Sequence, residues 1–314
     1  MNAINPIFEK ANPYLKLVLF ISIVVVSFII CMVLGFFIAI PLFNINFSEL
    51  LNALAQSTNP EYTSIIKYFQ AVSQLGLFIV PVFLFTLLVS KNTKEYLQLN
   101  QRTKALSIAI SCSIMVVAIP TINWLAEMNS KMQLPSSMSG VEQWMKESEA
   151  AAAKITEVFL NVSTISGLFT NILIVALIAA VGEELFFRGV LQKLLFQWSK
   201  NIHVAIIFTA ILFGAFHLQF YGFIPRVLMG VLFGYLLYWS GSIWLPILAH
   251  FTNNALAIIV DFFTRKKQID FDVDKIGIDE NAILWSSISF VLIGTLIYLF
   301  YRIEKNKPSM AKLL

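Results

Sequence analysis

Apolar residues in this chain come in long unbroken runs, not in the narrow stripes of a soluble helix or the alternation of a strand. The runs lie near 16–43, 70–90, 105–125, 164–187, 202–220, 223–240, 243–263 and 282–302. A helix that crosses a bilayer needs about 20 mostly apolar residues. The pattern therefore predicts an all-α, polytopic transmembrane helical bundle of about eight spans. Strands of a membrane barrel alternate in and out, and these runs do not.

Two polar connections are long. Residues 44–69 hold "FSELLNALAQ", with the pattern of a short amphipathic helix. Residues 126–163 hold "SGVEQWMKESEAAAAKITEVFL", a surface helix for which Ser139 is a candidate cap. Three regions follow: 1–163 with about three spans and two amphipathic loops, 164–263 as a helical core, and 264–314 with a polar loop, the last span and a basic tail. No internal repeat and no soluble domain stands out. The first run is too long for the core of a signal peptide and lacks a small-residue cleavage site, so it reads as a retained helix.

Composition agrees with the pattern. Of 314 residues, 58% are hydrophobic and 13% charged, about half the charged share of a soluble domain. Mean hydropathy is +0.78. The net charge of +4 gives no sign of nucleic-acid binding and suits a membrane protein with cytoplasmic lysines. Cys31 and Cys112 both lie in apolar runs and offer neither a disulfide framework nor a metal motif. Lys91, Lys94, Arg102 and Lys104, with Arg302, Lys305, Lys307 and Lys312 in the tail, favour cytoplasmic termini. "TRKKQ" at 264–268 then falls on the outer side and argues the other way. The same loop charges lead us to expect an intramembrane cavity open to the cytoplasm.

Ionisable residues inside the apolar half change the picture from architecture to chemistry. A charge at mid-membrane costs about 2.5–3.5 kcal/mol on insertion scales, so it is paired or faces a cavity. Such residues cluster in "EELFFR" (Glu183, Glu184, Arg188), "FGAFH" (Phe213 to His217) and "HFTNN" (His250 to Asn254). Glu184 and Arg188, at i and i+4, share a helix face and can pair. Glu183 points about 100° away and is not served by that pair. A carboxylate in low dielectric without its own counter-charge holds a proton more readily, which makes Glu183 the general-base candidate. Glu184 and Arg188 become its support. His250 and Asn254 are again i and i+4.

Depth adds a second constraint. If the fourth helix continues to Trp198, Glu183 lies ~22 Å along it from the "WSKN" turn, and His217 lies ~21 Å from His203 on the antiparallel return. Both side chains then stand at one height across a helical hairpin. His203 reads as an interfacial residue without a role, and Gly230 and Gly234 as a close helix-packing face. A lone Glu–Arg pair or a lone intramembrane His is as often structural as functional. Three such clusters at compatible depth favour catalysis or transport over structure alone.

At these residues the chain resembles the CPBP family of intramembrane proteases, which includes type II CAAX prenyl endopeptidases, bacteriocin-processing and immunity proteins, and lysostaphin resistance protein A-like proteins. The family pattern EExxxR, FxxxH and HxxxN reads here as Glu183-Glu184 to Arg188, Phe213 to His217, and His250 to Asn254, complete and in order over roughly 165–262. The resemblance implies an intramembrane endopeptidase with its site in a membrane cavity. Glu183 and His217 would activate a water, while His250 and Asn254 would stabilise the oxyanion. Glu184, Arg188 and Phe213 would support them. No cofactor is favoured. Zinc held by Glu183, His217 and His250 is the alternative, although the HExxH helix is absent. The implied partners are the lipid bilayer and a peptide or membrane-protein substrate. A proton-coupled transporter, or a non-catalytic scaffold or immunity protein, is the rival class.

Overall fold

The computed structural model describes residues 6–266, 276–278 and 280–305, and every regular element among them is helical. Residues 267–275 and 279 of the polar loop, which include part of "TRKKQ", and the basic tail from 306 lie outside the described residues. Six helices are long and apolar enough to cross a membrane: α1 (Pro13–Phe43), α3 (Pro60–Val89), α7 (Ile165–Ser199), α9 (Phe223–Ser240, entered through the turn at 220–222), α10 (Trp244–Arg265) and α11 (Ala282–Glu304). The protein is an integral, multi-pass membrane protein. On α1, side chains such as Val25, Ile29 and Phe37 remain more than half exposed, as Phe290 and Val291 do on α11. With no aqueous face to explain them, these helices form the lipid-facing outside of the bundle.

The remaining elements refine the expected span count. The run at 105–125 forms two helices, α4 (Ala105–Val117) and α5 (Ile119–Ser130), bent by 43°. Pro120 accounts for the break, because it lacks an N–H and its ring clashes with the carbonyl four residues back. Taken as one span, this pair makes seven. The run at 202–220 is not a full crossing. Its helix, α8 (Ile202–Phe216), has 15 residues, ~22 Å at 1.5 Å each, against a hydrocarbon core of about 30 Å. The helix ends just before His217, and Leu218 takes the rare left-handed φ of 52°. Non-helical backbone at that depth is tolerated only where protein buries it or it lines a cavity.

Both amphipathic loops are helical. In α2 (Phe47–Ala55) the Asn46 side chain accepts from the Glu49 N–H, and the Glu49 carboxylate accepts from the Asn46 N–H. This reciprocal cap closes a nine-residue helix that would not persist alone. In α6 (Ser139–Leu160) Ser139 opens the helix but makes no capping hydrogen bond, contrary to expectation.

Close approach of α7, α8 and α9 sets the centre of the bundle. A Cβ added to Gly230 on α9 would lie 2.9 Å from the Ala210 Cβ on α8. A Cβ on Gly182 of α7 would lie 3.0 Å from the Cβ of Phe78 on α3. Any larger residue would push these helices apart. The reading of Gly230 and Gly234 as packing residues holds, since Gly234 meets Ile206 at 2.8 Å in the same way. His203 lies at the other end of α8, bonded through Nδ1 to the Tyr235 hydroxyl at 2.7 Å, far from the remaining ionisable cluster.

Candidate active site

The carboxylates stand on α7, which continues to Ser199 as the depth argument required. Thr164 starts it, its hydroxyl accepting from the Gly167 N–H. Two widened π segments, Ile172–Ile178 and Leu185–Leu191, flank the short α-helical stretch that carries Glu183 and Glu184. Such bulges re-aim side chains and recur at functional sites.

Glu184 is the hub of a closed group. Arg188 Nη1 donates to Glu184 Oε1 at 2.8 Å, and His250 Nδ1 meets the same oxygen at 2.9 Å. Arg188 Nη2 donates to the Gly230 carbonyl at 2.9 Å, tying α7 to α9. Aromatic faces complete the shell around the guanidinium, with Phe213 at 4.6 Å and Phe233 at 5.3 Å. A desolvated cation over a ring gains about 2 kcal/mol. Phe233 also stacks on the His250 ring at 5.3 Å. Glu184 and Arg188 are 0% exposed.

Glu183 faces elsewhere. Its Oε2 lies 3.9 Å from Nε2 of His217, at the end of α8. That is too long for a direct hydrogen bond, and Oε2 is buried with no hydrogen-bond partner among the described residues. His217 Nδ1 lies 2.8 Å from the Phe213 carbonyl. A carbonyl only accepts, so Nδ1 carries the proton and the neutral ring turns its Nε2 lone pair toward Glu183. The Phe213 ring packs against both histidines, 5.0 Å from His217 and 5.7 Å from His250. The two side chains do stand at one height, as the rise along the helices predicted.

The third motif is only partly drawn in. His250 is buried and committed through Nδ1 to Glu184, an interhelical bond that helical spacing within α10 could not disclose. Asn254, one turn on, is half-buried, and its amide oxygen accepts from Asn253 at 3.2 Å. Among the described residues no group of three His, Cys, Asp or Glu side chains is placed to hold a metal ion.

Sequence reasoning also missed Arg226. Its charge acts on Glu183 and His217, and on Glu149 of α6. Arg226 borders a cavity of about 360 Å³ through Gly222, which lines it with Tyr221 and Glu149. The signal was an arginine one turn into an otherwise apolar helix. The cavity lies toward the 131–164 connection, on the side away from Asn12 and Glu304.

No curated protein and no solved structure matches the chain. Residues 165–256 do match a known family, described as type II CAAX prenyl endopeptidase Rce1-like. The match runs from the first residue of α7 to two residues past Asn254 and contains all three motifs. Over residues 165–256, then, the chain carries an Rce1-like type II CAAX prenyl endopeptidase domain, in agreement with the family its motifs resemble.

Proposed function

We propose that the protein is an intramembrane endopeptidase in which Glu183 and His217 activate a water molecule. The observation that carries this reading is the pair of acceptors facing each other at 3.9 Å, Glu183 Oε2 and His217 Nε2. Two lone pairs repel unless a donor stands between them, and a water can donate one hydrogen to each. As the water oxygen bonds to the peptide carbonyl carbon, Glu183 takes its proton, and the carbonyl π pair moves onto the oxygen. Collapse of that tetrahedral species breaks the C–N bond, and the proton passes to the leaving amine.

The oxyanion falls to Asn254 and His250 in unequal degree. An amide N–H is a permanent donor. His250 already donates its Nδ1–H in a hydrogen bond to Glu184, which leaves Asn254 the larger share. Substrates are peptides or proteins held in or beside the membrane.

The test is cleavage of a membrane-peptide library, followed by mass spectrometry, with purified wild type, Glu183→Gln and His217→Ala, each with and without a zinc chelator. Loss in both variants with activity intact in chelator supports the reading. Activity abolished by chelator and restored by zinc would return the site to the metalloprotease class, and cleavage by Glu183→Gln at the wild-type rate would remove Glu183 as the base.

A further inference from the structure

Between the second and third motifs lies "QFYGFIPR" (219–226), and its arginine has no place in the machinery described above. Arg226 Nη1 donates to the Gln219 carbonyl at 3.1 Å and Nη2 to Gln219 Oε1 at 2.6 Å. Gly222 leaves the room. A Cβ there would collide with Nη1 and shift the guanidinium. The group is thus held by one residue and cleared for by another, with three of its five N–H donors uncommitted.

Its surroundings point to a ligand. Arg226 is half-buried, in a span of the membrane domain, yet no carboxylate among the described residues lies within ion-pair distance of it. On one side its charge acts on Glu183 and His217, and on the other it lies against the Gly222 wall of the 360 Å³ cavity. The acids of that cavity are engaged already. Glu127 pairs with Lys131 at 2.9 Å, and Glu149 accepts from the Tyr221 N–H at 3.3 Å. A planar fork with free donors matches a carboxylate better than any other peptide group.

We infer that Arg226 is the seat for a carboxylate of the peptide substrate, a few residues from the bond that is cut. This rests on the endopeptidase reading and makes Arg226 a specificity residue for it.

Three S-farnesylated peptides of one sequence test the inference: one with a free C-terminal carboxylate, one with a C-terminal amide, and one amidated but ending in Glu. With full-length wild type, kcat/KM for the free acid should exceed that for the amide by about tenfold or more. That ratio should fall toward one in Arg226→Gln and lie between in Arg226→Lys, which keeps charge but loses the fork. If the Glu peptide matches the free acid, the seat takes a side-chain carboxylate, and if it matches the amide, the terminus is read. Equal rates for acid and amide in wild type, or a ratio unchanged in Arg226→Gln, would overturn the inference, and the first needs no variant to fold. Should no peptide be cut, the endopeptidase reading fails for these probes. Fluorescence-anisotropy binding of the same acid and amide to Glu183→Gln then decides the seat, with tighter binding of the acid supporting it and equal binding refuting it.

Discussion

Glu183 and Glu184 are chain neighbours on one helix, yet they live in different worlds. Glu184 is fully buried and shares one oxygen between Arg188 and His250, both of which pack against the rings of Phe213 and Phe233. Glu183 has no such pairing among the described residues: its nearest charged approach is a histidine across 3.9 Å, although Oε2 of each carboxylate is buried without a hydrogen-bond partner there. In the proposed function, one carboxylate serves structure and the other chemistry. A turn of 100° around α7 is enough to separate the roles, because one direction meets α9 and α10 and the other meets the end of α8. A motif that reads as two adjacent acids is thus two sites.

The contrast breaks most visibly in activity. Glu183→Gln, which keeps shape and removes the base, should lower the rate of cleavage by about 10²–10⁴-fold, read by mass spectrometry of a cleaved peptide. Arg188→Ala attacks the other side. It leaves Glu184 buried without its guanidinium, a change that costs about 3–5 kcal/mol, and should lower the thermal midpoint of the detergent-solubilised protein by many degrees. An unchanged midpoint would mean that water reaches Glu184. Gly230→Val is a milder probe of the same group. The new methyls must displace Ala210, moving the carbonyl that holds Arg188, at a cost of about 1–3 kcal/mol. A stability equal to wild type would show that α8 and α9 are not clamped there.

Much of this division was legible in the chain. The i, i+4 spacing of Glu184 and Arg188 predicted their pairing, and equal heights along a helical hairpin predicted that His217 would meet Glu183. Both rest on rise and periodicity, which a helix fixes locally. What spacing did not disclose depends on how helices turn toward one another. His250 looked like an oxyanion donor alone, yet its Nδ1 is held by a carboxylate 66 positions away. The run at 202–220 looked long enough to cross, but it ends as a helix at Phe216 and turns through Leu218. Hydropathy registers the apolar character of such a segment and not where its backbone stops being helical. Arg226 escaped notice for a related reason. Its meaning comes from Gln219, Gly222 and the neighbouring α6, and no spacing within its own helix signals them.

The central claim is the separation of two roles between adjacent carboxylates, and one paired measurement tests it. Glu183→Gln and Glu184→Gln are purified alongside wild type, and each is assayed for peptide cleavage and for thermal midpoint. The account predicts that Glu183→Gln melts at or above the wild-type temperature and is inactive, since among the described residues no ion pair holds Glu183 closer than the 3.9 Å approach of His217. Glu184→Gln should melt well below wild type, because Arg188 and His250 lose their shared anion. Equal destabilisation by both substitutions, or full activity in Glu183→Gln, would contradict it.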